Sequence, residues 1–386
     1  FVGTIFLHIS ADSGRTFTNI SHPHADQQDI DVNGSEIWLA SDGGLDLSTD
    51  EMTTFESRKN GIAASAYWRL GSGWNDDILV GGRYHNGDAA LFMPNYGAGN
   101  SLFLGAAEQG TGYLNPLNNR ISYFSDLGSS PVLPESLTGQ MAYLPKLSLF
   151  PNEGYTLKRS ELVFHPQYAD VMYLGNGSSF YKSTDKGANF TALHDFGNAT
   201  AGEIEQSRSN PDVIYHAIFN DDNAYNDRGE IYKSTDGGDS WTKLPDLPAT
   251  RHRELQLAIN PEDEDELWVG NIYGYDGEKV YRTTDGGSSW QNMTTATLDG
   301  EQMRDIVYQP GIGKDIIYVA TYYGVFYYDS DSTDWINMSA GLPYILDVNE
   351  MQPFYRDCKI RADTYGRANW ESSLAAPVRP LAQPIT

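Results

Sequence analysis

An octapeptide of the form (Ser/Thr)-x-Asp-x-Gly-x-x-(Phe/Trp) occupies residues 10–17, 183–190, 234–241 and 283–290. A decayed copy at 48–55 keeps Ser48, Asp50 and Phe55 but carries Met52 at the glycine position, and a last trace ends at Trp335. The residue types suit a tight turn between two strands. Gly14, Gly187, Gly238 and Gly287 supply the positive φ that a hairpin turn demands. Asp12, Asp50, Asp185, Asp236 and Asp285 are placed to accept hydrogen bonds from the amides of their own turn. Phe17, Phe55, Phe190, Trp241 and Trp290 open the following strand and are expected to pack between neighbouring sheets. One active site has no need of the same loop several times over, so the aspartates read as turn staples rather than catalysts.

Spacing converts the motif into an architecture. Asp185 to Asp236 is 51 residues, Asp236 to Asp285 is 49 and Asp12 to Asp50 is 38, while the 135 residues from Asp50 to Asp185 hold three periods of about 45. Around the copies the context repeats: an alternating strand ending at Pro166 or Pro261, an apolar strand, a strand entering the octapeptide and a strand leaving it. Helical periodicity is absent. Four short strands every ~45 residues describe a propeller blade. The expectation is an all-β propeller of four-stranded antiparallel blades near 23–58, 64–100, 104–150, 159–195, 201–246, 254–295 and 302–338. An eighth blade joins 1–20 to 345–372, so that N- and C-terminal strands close the ring without an open edge. Eight blades is the arithmetic; seven results if 64–150 is one elaborated blade. The propeller then spans 1–373, and the Pro-rich 374–386 reads as an extended linker to a further module. A start at Phe1, without Met or a charged leader, reads as the middle of a longer or processed chain.

Composition excludes several functions. With 52 acidic against 26 basic residues, the net charge of −26 opposes nucleic acid and anionic membrane surfaces. The 25 Tyr, 15 Phe and 8 Trp are too much aromatic mass for a disordered polyanion. A single Cys358 rules out an intrachain disulfide framework and multi-cysteine metal sites. No apolar run reaches membrane-spanning length, so no direct membrane insertion is expected.

The octapeptides resemble the Asp boxes of sialidases, of the sortilin ectodomain and of two-propeller xyloglucan-cleaving glycosidases. A fuller likeness is to large secreted Asp-box (BNR-repeat) β-propeller proteins of Bacteroidota exported by the type IX system. It is carried by His24, Asp26, Asp29 and Asp31 ahead of Asp42-Gly43-Gly44, by Gly81-Gly82 before Asn86-Gly87, by Gly112 to Pro116 with Asp126 and Gly128, and by Arg367 and Trp370 near the end. The resemblance implies a propeller outside the cell or on the bacterial surface; it specifies fold and export better than activity.

Catalytic sets do not assemble in the sequence. The sialidase pattern needs an Arg-Ile-Pro segment and three arginines on one carboxylate; the segment is missing, and Arg83, Arg253 and Arg304 are not tied to one site. A xyloglucanase-like glycosidase needs two flanking carboxylates. Asp29, Asp31, Asp42, Asp46, Glu108, Glu161, Glu203, Glu205, Glu254 and Asp305 fall near strand ends, too many to single out a pair. Loop aromatics offer sugar-stacking surfaces at Trp68, Tyr84, Tyr96, Tyr273, Tyr275 and Tyr322, against the alternative that they alternate between core and surface as strand residues do. Asp221, Asp222, Asn223, Asn226 and Asp227 form an oxygen-rich loop that suits calcium but lacks EF-hand spacing, so a plain solvated loop is the alternative. No cofactor is required, and calcium is the one candidate ion. The leading reading is a secreted or cell-surface propeller that binds glycan or an extracellular protein through its loops without catalysis. The rival is a polysaccharide-active glycoside hydrolase using paired carboxylates.

Overall fold

The computed structural model describes residues 1–62, 65–105, 111–149, 161–220, 228–378 and 381. Its strands form small antiparallel sheets of consecutive segments, each a meander. Blade I holds Gly71–Ser72, Ile78–Arg83, Gly87–Phe92 and Leu102–Gly105. Blade II pairs Tyr113–Leu114 with Ser122–Tyr123 and Ser129–Val132 with Ala142–Pro145, the two halves joined by an Ile121–Val132 bridge. Blades III, IV, V and VI have four strands each and begin with Leu162–Phe164, Ala199–Gln206, Leu255–Ile259 and Met303–Gln309. Blade VII has three: Val348–Phe354, Lys359–Thr364 and Asn369–Ser373.

Sheets buried on both faces must pack on neighbours, and the hydrophobic clusters show how. Tyr215, Ile231 and Leu244 of blade IV pack on Leu257, Val269 and Tyr281 of blade V. Trp268 and Val280 of blade V meet Ile306, Val319 and Trp335 of blade VI. First strands touch in succession from blade III to blade VII, from VII to I and from I to II, while Tyr123 of blade II packs on Leu162, Met172 and Leu174 of blade III. The seam between them is hydrogen-bonded: Tyr67 N–H donates to Thr364 O (3.1 Å), Ala368 N–H to Ser65 O (2.9 Å) and Gln352 Nε2 to Leu70 O (2.9 Å). Among the described residues seven blades thus return on themselves as a β-propeller.

Two expectations need correcting. Residues 1–20 do not complete the last blade. Val2–Gly3, Leu7–Ile9 and Thr18–Ile20 form their own sheet, which stacks on a second sheet of Gln27–Asn33, Glu36–Ser41, Gly44–Ser48 and Glu56–Ser57. Leu7, Ile37, Leu39 and Met52 give this pair a core of its own, so its apolar demand is met without the ring. The 23–58 unit is therefore not among the seven, and 64–150 contributes two blades rather than one elaborated blade. At the other end, Ala375 N–H donates to Tyr318 Oη (2.7 Å) and Ala376 O accepts from Gln309 Nε2 (2.9 Å), so 374–378 lies against blade VI.

Candidate functional site

The octapeptide turns behave as closed units. Asp236 accepts Ser240 N–H at 2.8 Å on Oδ1 and Ser240 Oγ at 2.5 Å on Oδ2, while Ser234 Oγ accepts Gly238 N–H at 2.9 Å. Those bonds, led by the Ser240 hydroxyl, hold the Asp236 carboxyl down at about 2. Asp12, Asp50, Asp185 and Asp285 repeat the circuit, each spending its acceptors within its own turn. Phe55, Phe190, Trp241 and Trp290 are half-buried, each packed against a hydrophobic cluster, but Phe17, just before the third strand of the first sheet, is 50% exposed.

In a four-stranded meander the turns after strands one and three share one end, and those after strands two and four share the other. The octapeptides follow third strands, so the turns holding Tyr84, Tyr273, Tyr275 and Tyr322 lie on the opposite face. Trp68 joins them, its ring 5.9 Å from Tyr84 and 5.5 Å from Tyr365. Tyr96 does not: it is buried, and its hydroxyl donates to Pro134 O (2.8 Å), making it a core residue of blade I. Sequence reasoning missed Tyr344 and Tyr365. Tyr344 is 82% exposed and stacks 6.3 Å from Tyr323, which stands edge-on to Tyr322.

Arginines are threaded through these rings. Arg304 lies 5.5 Å over Tyr322 and pairs through Nε with Asp347 at 2.5 Å. Arg251 and Arg253 lie 5.1 and 5.7 Å over Tyr273. Burial and then Glu254 raise the Tyr273 phenol above its ordinary value, opposed by Arg253, Arg304 and Arg251, so three guanidiniums act on one ring. Arg253 and Arg304 thus share a site, whereas Arg83 bonds the carbonyls of Asn86 and Gly87 in its own turn.

A second cluster sits on the propeller axis. Blades I and III–VII line a cavity of about 330 Å³. Arg69 there pairs with Glu161 at 2.5 Å and Glu350 at 2.9 Å, and Glu203 stands 3.9 Å away. Asp305 accepts Ile306 N–H (2.8 Å) and Met351 N–H (2.7 Å), tying blade VI to blade VII. Burial, then repulsion from Glu350, pushes its carboxyl up to about 7. Burial and Glu161 raise Glu203 and Glu205 well above the ordinary carboxylate range. Four of the acidic positions flagged in the sequence therefore converge; Arg69 and Glu350 were not flagged. Glu108 and the candidate calcium loop at 221–227 lie outside the described residues.

Where the N-terminal sheets meet blade I, ligand atoms of Asp26, Asp42 and His85 lie within 4.8 Å of one another. His85 bonds Asp42, which also accepts Gln28 Nε2 at 2.6 Å. Among the described residues no helix is long and apolar enough to cross a membrane.

No family model matches the chain, and no curated protein is similar to it in sequence. Solved structures do share its shape. YCF48 from Cyanidioschyzon merolae has a TM-score of 0.53 at 9% identity, over 80% of this chain and 96% of that one. The extracellular domain of a putative hybrid two-component system from B. thetaiotaomicron gives 0.52 at 13% identity, over 80% of this chain and 38% of that one. An ancestral GH74 enzyme gives 0.44 at 10% identity, over 81% of this chain. The chain spans only 39% of that enzyme's length. At such identities the likeness is one of fold: a β-propeller.

Proposed function

We propose that the chain is a glycan-binding β-propeller acting outside the cell or on a bacterial cell surface, and that it holds its ligand on the face opposite the Asp-box turns. The observation that carries this reading is the joined aromatic and arginine surface of Tyr273, Tyr322, Tyr323 and Tyr344 with Arg251, Arg253 and Arg304. Flat rings offer apolar faces for sugar C–H surfaces, and guanidinium groups recognise carboxylates in a bidentate fork. Guanidinium groups gathered on a chain of net charge −26, Arg304 among them shared with Asp347, favour a saccharide bearing carboxylates over a neutral one. Binding should be measured on an array holding uronic-acid oligosaccharides beside neutral xyloglucan fragments. Acidic oligosaccharides are expected to bind, and Arg304→Ala and Tyr322→Ala to weaken them about tenfold each, the size of one lost charge-assisted contact. Equal binding by both variants, with melting unchanged, removes this reading.

The competing reading, polysaccharide hydrolysis, has one observation in its favour: Asp305 at about 7 has the proton affinity of a general acid. Both of its oxygens are occupied by backbone amides, which suits a brace between blades better than an acid facing a substrate. Reducing-sugar release that disappears in Asp305→Asn would restore the enzyme.

A further inference from the structure

Blade VII stops one strand short. Blades III to VI have four strands each, whereas blade VII ends at its third, Asn369–Ser373. Among the described residues no strand pairs with the outer side of that third strand. The chain does not turn back along the blade: Ala375 N–H donates to Tyr318 Oη and Val378 bridges Gly311, so 374–378 leaves toward blade VI. The strand left at the rim is bare. Glu371, Ser372 and Ser373 are exposed, while the third strands of blades III to VI contain no exposed residue. An open edge of this kind is a template for another strand.

The sibling blades show what such a strand carries. The fourth strand of blade III follows directly on Phe190, and those of blades IV, V and VI on Trp241, Trp290 and Trp335. Each ring packs at the interface with the preceding blade. Trp335 shares a cluster with Trp268 and Val280 of blade V, and its indole N–H donates to Met293 O (2.9 Å). Hydrogen bonding identifies the corresponding wall one blade on. Met293 N–H donates to Val280 O (2.9 Å), and Met338 N–H donates to Val325 O (2.8 Å). Val325 and Met338 of blade VI therefore stand where Val280 and Met293 of blade V stand around Trp335. Here the place is open: Val325 and Met338 face Met351, Ile360, Ala362 and Trp370 of blade VII across a cavity of about 240 Å³. Apolar cavities of about 150 Å³ take up benzene, so this slot has room for one aromatic side chain. It continues the apolar interface that already joins blades VI and VII.

We infer that the outer edge of blade VII is a docking site for an extended segment of a partner protein that carries Trp or Phe immediately before its β-forming residues. The ring enters the slot, and the backbone pairs antiparallel with Trp370 and Glu371, as Asn337 and Ile336 pair with Phe326 and Tyr327 in blade VI. The site lies at the rim and does not depend on glycan binding at the aromatic face. The probe is a labelled synthetic peptide copied from residues 283–294, which holds Trp290 and the fourth strand of blade V, read by fluorescence anisotropy on the whole chain. It is expected to bind one to one, and the same peptide with Trp290→Ala to bind about tenfold or more weakly, as for a lost anchor side chain. Ala340, exposed on the lip of the slot, supplies the blocking variant. Ala340→Trp lays a ring over the slot and should weaken the unchanged peptide by about tenfold or more, with melting unchanged. Absence of binding to the wild-type chain overturns the inference, as does binding indifferent to the peptide's tryptophan or to Ala340→Trp. Sedimentation covers the other occupant: wild-type dimers that Ala340→Trp dissociates would overturn the partner protein in favour of a second copy of this chain.

Discussion

Two sets of carboxylates in this chain titrate in opposite senses, and each side chain's surroundings decide which. Asp236 is held at about 2 by its turn, below the ordinary 3.8, so the stability it contributes is complete above pH 4 and lost as pH falls toward 2. Asp305 is the reverse. Its folded value near 7 lies above the ordinary 3.8, so its contribution is complete below pH 4 and lost as pH rises through 7. A rise of that size corresponds to roughly 4 kcal/mol by pH 8. Asp305→Asn keeps the side chain neutral at every pH. Asparagine offers one acceptor for the two amides, so the variant should be about 1–3 kcal/mol less stable than the wild type at pH 5, and that deficit should shrink or reverse at pH 8, as read by denaturant midpoints at the two pH values. An equal gap at both pH values would show that Asp305 does not titrate in this range. Glu203, Glu205 and Asp305 are visible in the sequence as acidic residues near strand ends. Their meeting is not, because it depends on how two separate blades are angled about an axis.

The octapeptide was legible as a turn from its residue types, but the reason for its glycine was only half so. Gly238 has φ 98°, as a hairpin turn asks. A Cβ there would also meet Phe180 of the preceding blade at 2.5 Å, and at Gly287 it would meet Leu244 at 2.4 Å. Each glycine therefore lets the adjoining blade come close, a fact that local sequence does not contain. Gly14 is a natural control, with φ 83° and no atom of another blade within 4 Å. Gly14→Ala should cost only the left-handed backbone term of about 1–2 kcal/mol. Gly238→Ala should cost about 2–4 kcal/mol, the same term plus displacement of the Phe180 ring. Equal losses in urea unfolding would mean that the blade contact contributes nothing. The same logic explains Tyr96. Its loop position suggested exposure, but the hydroxyl found Pro134 O, and tertiary packing set its burial.

At the scale of the whole ring, periodicity in the sequence predicted the blades, but closure rests on long-range partners that no repeat announces. The sequence arithmetic joined residues 1–20 to the last blade because both were incomplete; the chain instead closes from 65–72 to 348–368. Arg361 is central to that seam. It is buried, lies 3.8 Å from the Phe354 ring centroid, and binds Asp77, Ser72 Oγ (3.0 Å) and Glu371 (3.1 Å). Closing a ring of sheets ties its first and last elements, so one weak seam exposes two edges at once. Arg361→Met removes the charge and leaves Asp77 at the seam without its guanidinium, a loss of about 3–5 kcal/mol by analogy with broken buried pairs. The exposed pair Arg58–Glu56 supplies the contrast, since Arg58→Met should cost under about 1 kcal/mol. Limited proteolysis adds the spatial readout: Arg361→Met should open cleavage in 58–70 and 365–378 together, both sides of one seam. Cleavage confined to one side would mean that blade VII stays attached to blade VI and that closure onto blade I is not what holds the ring.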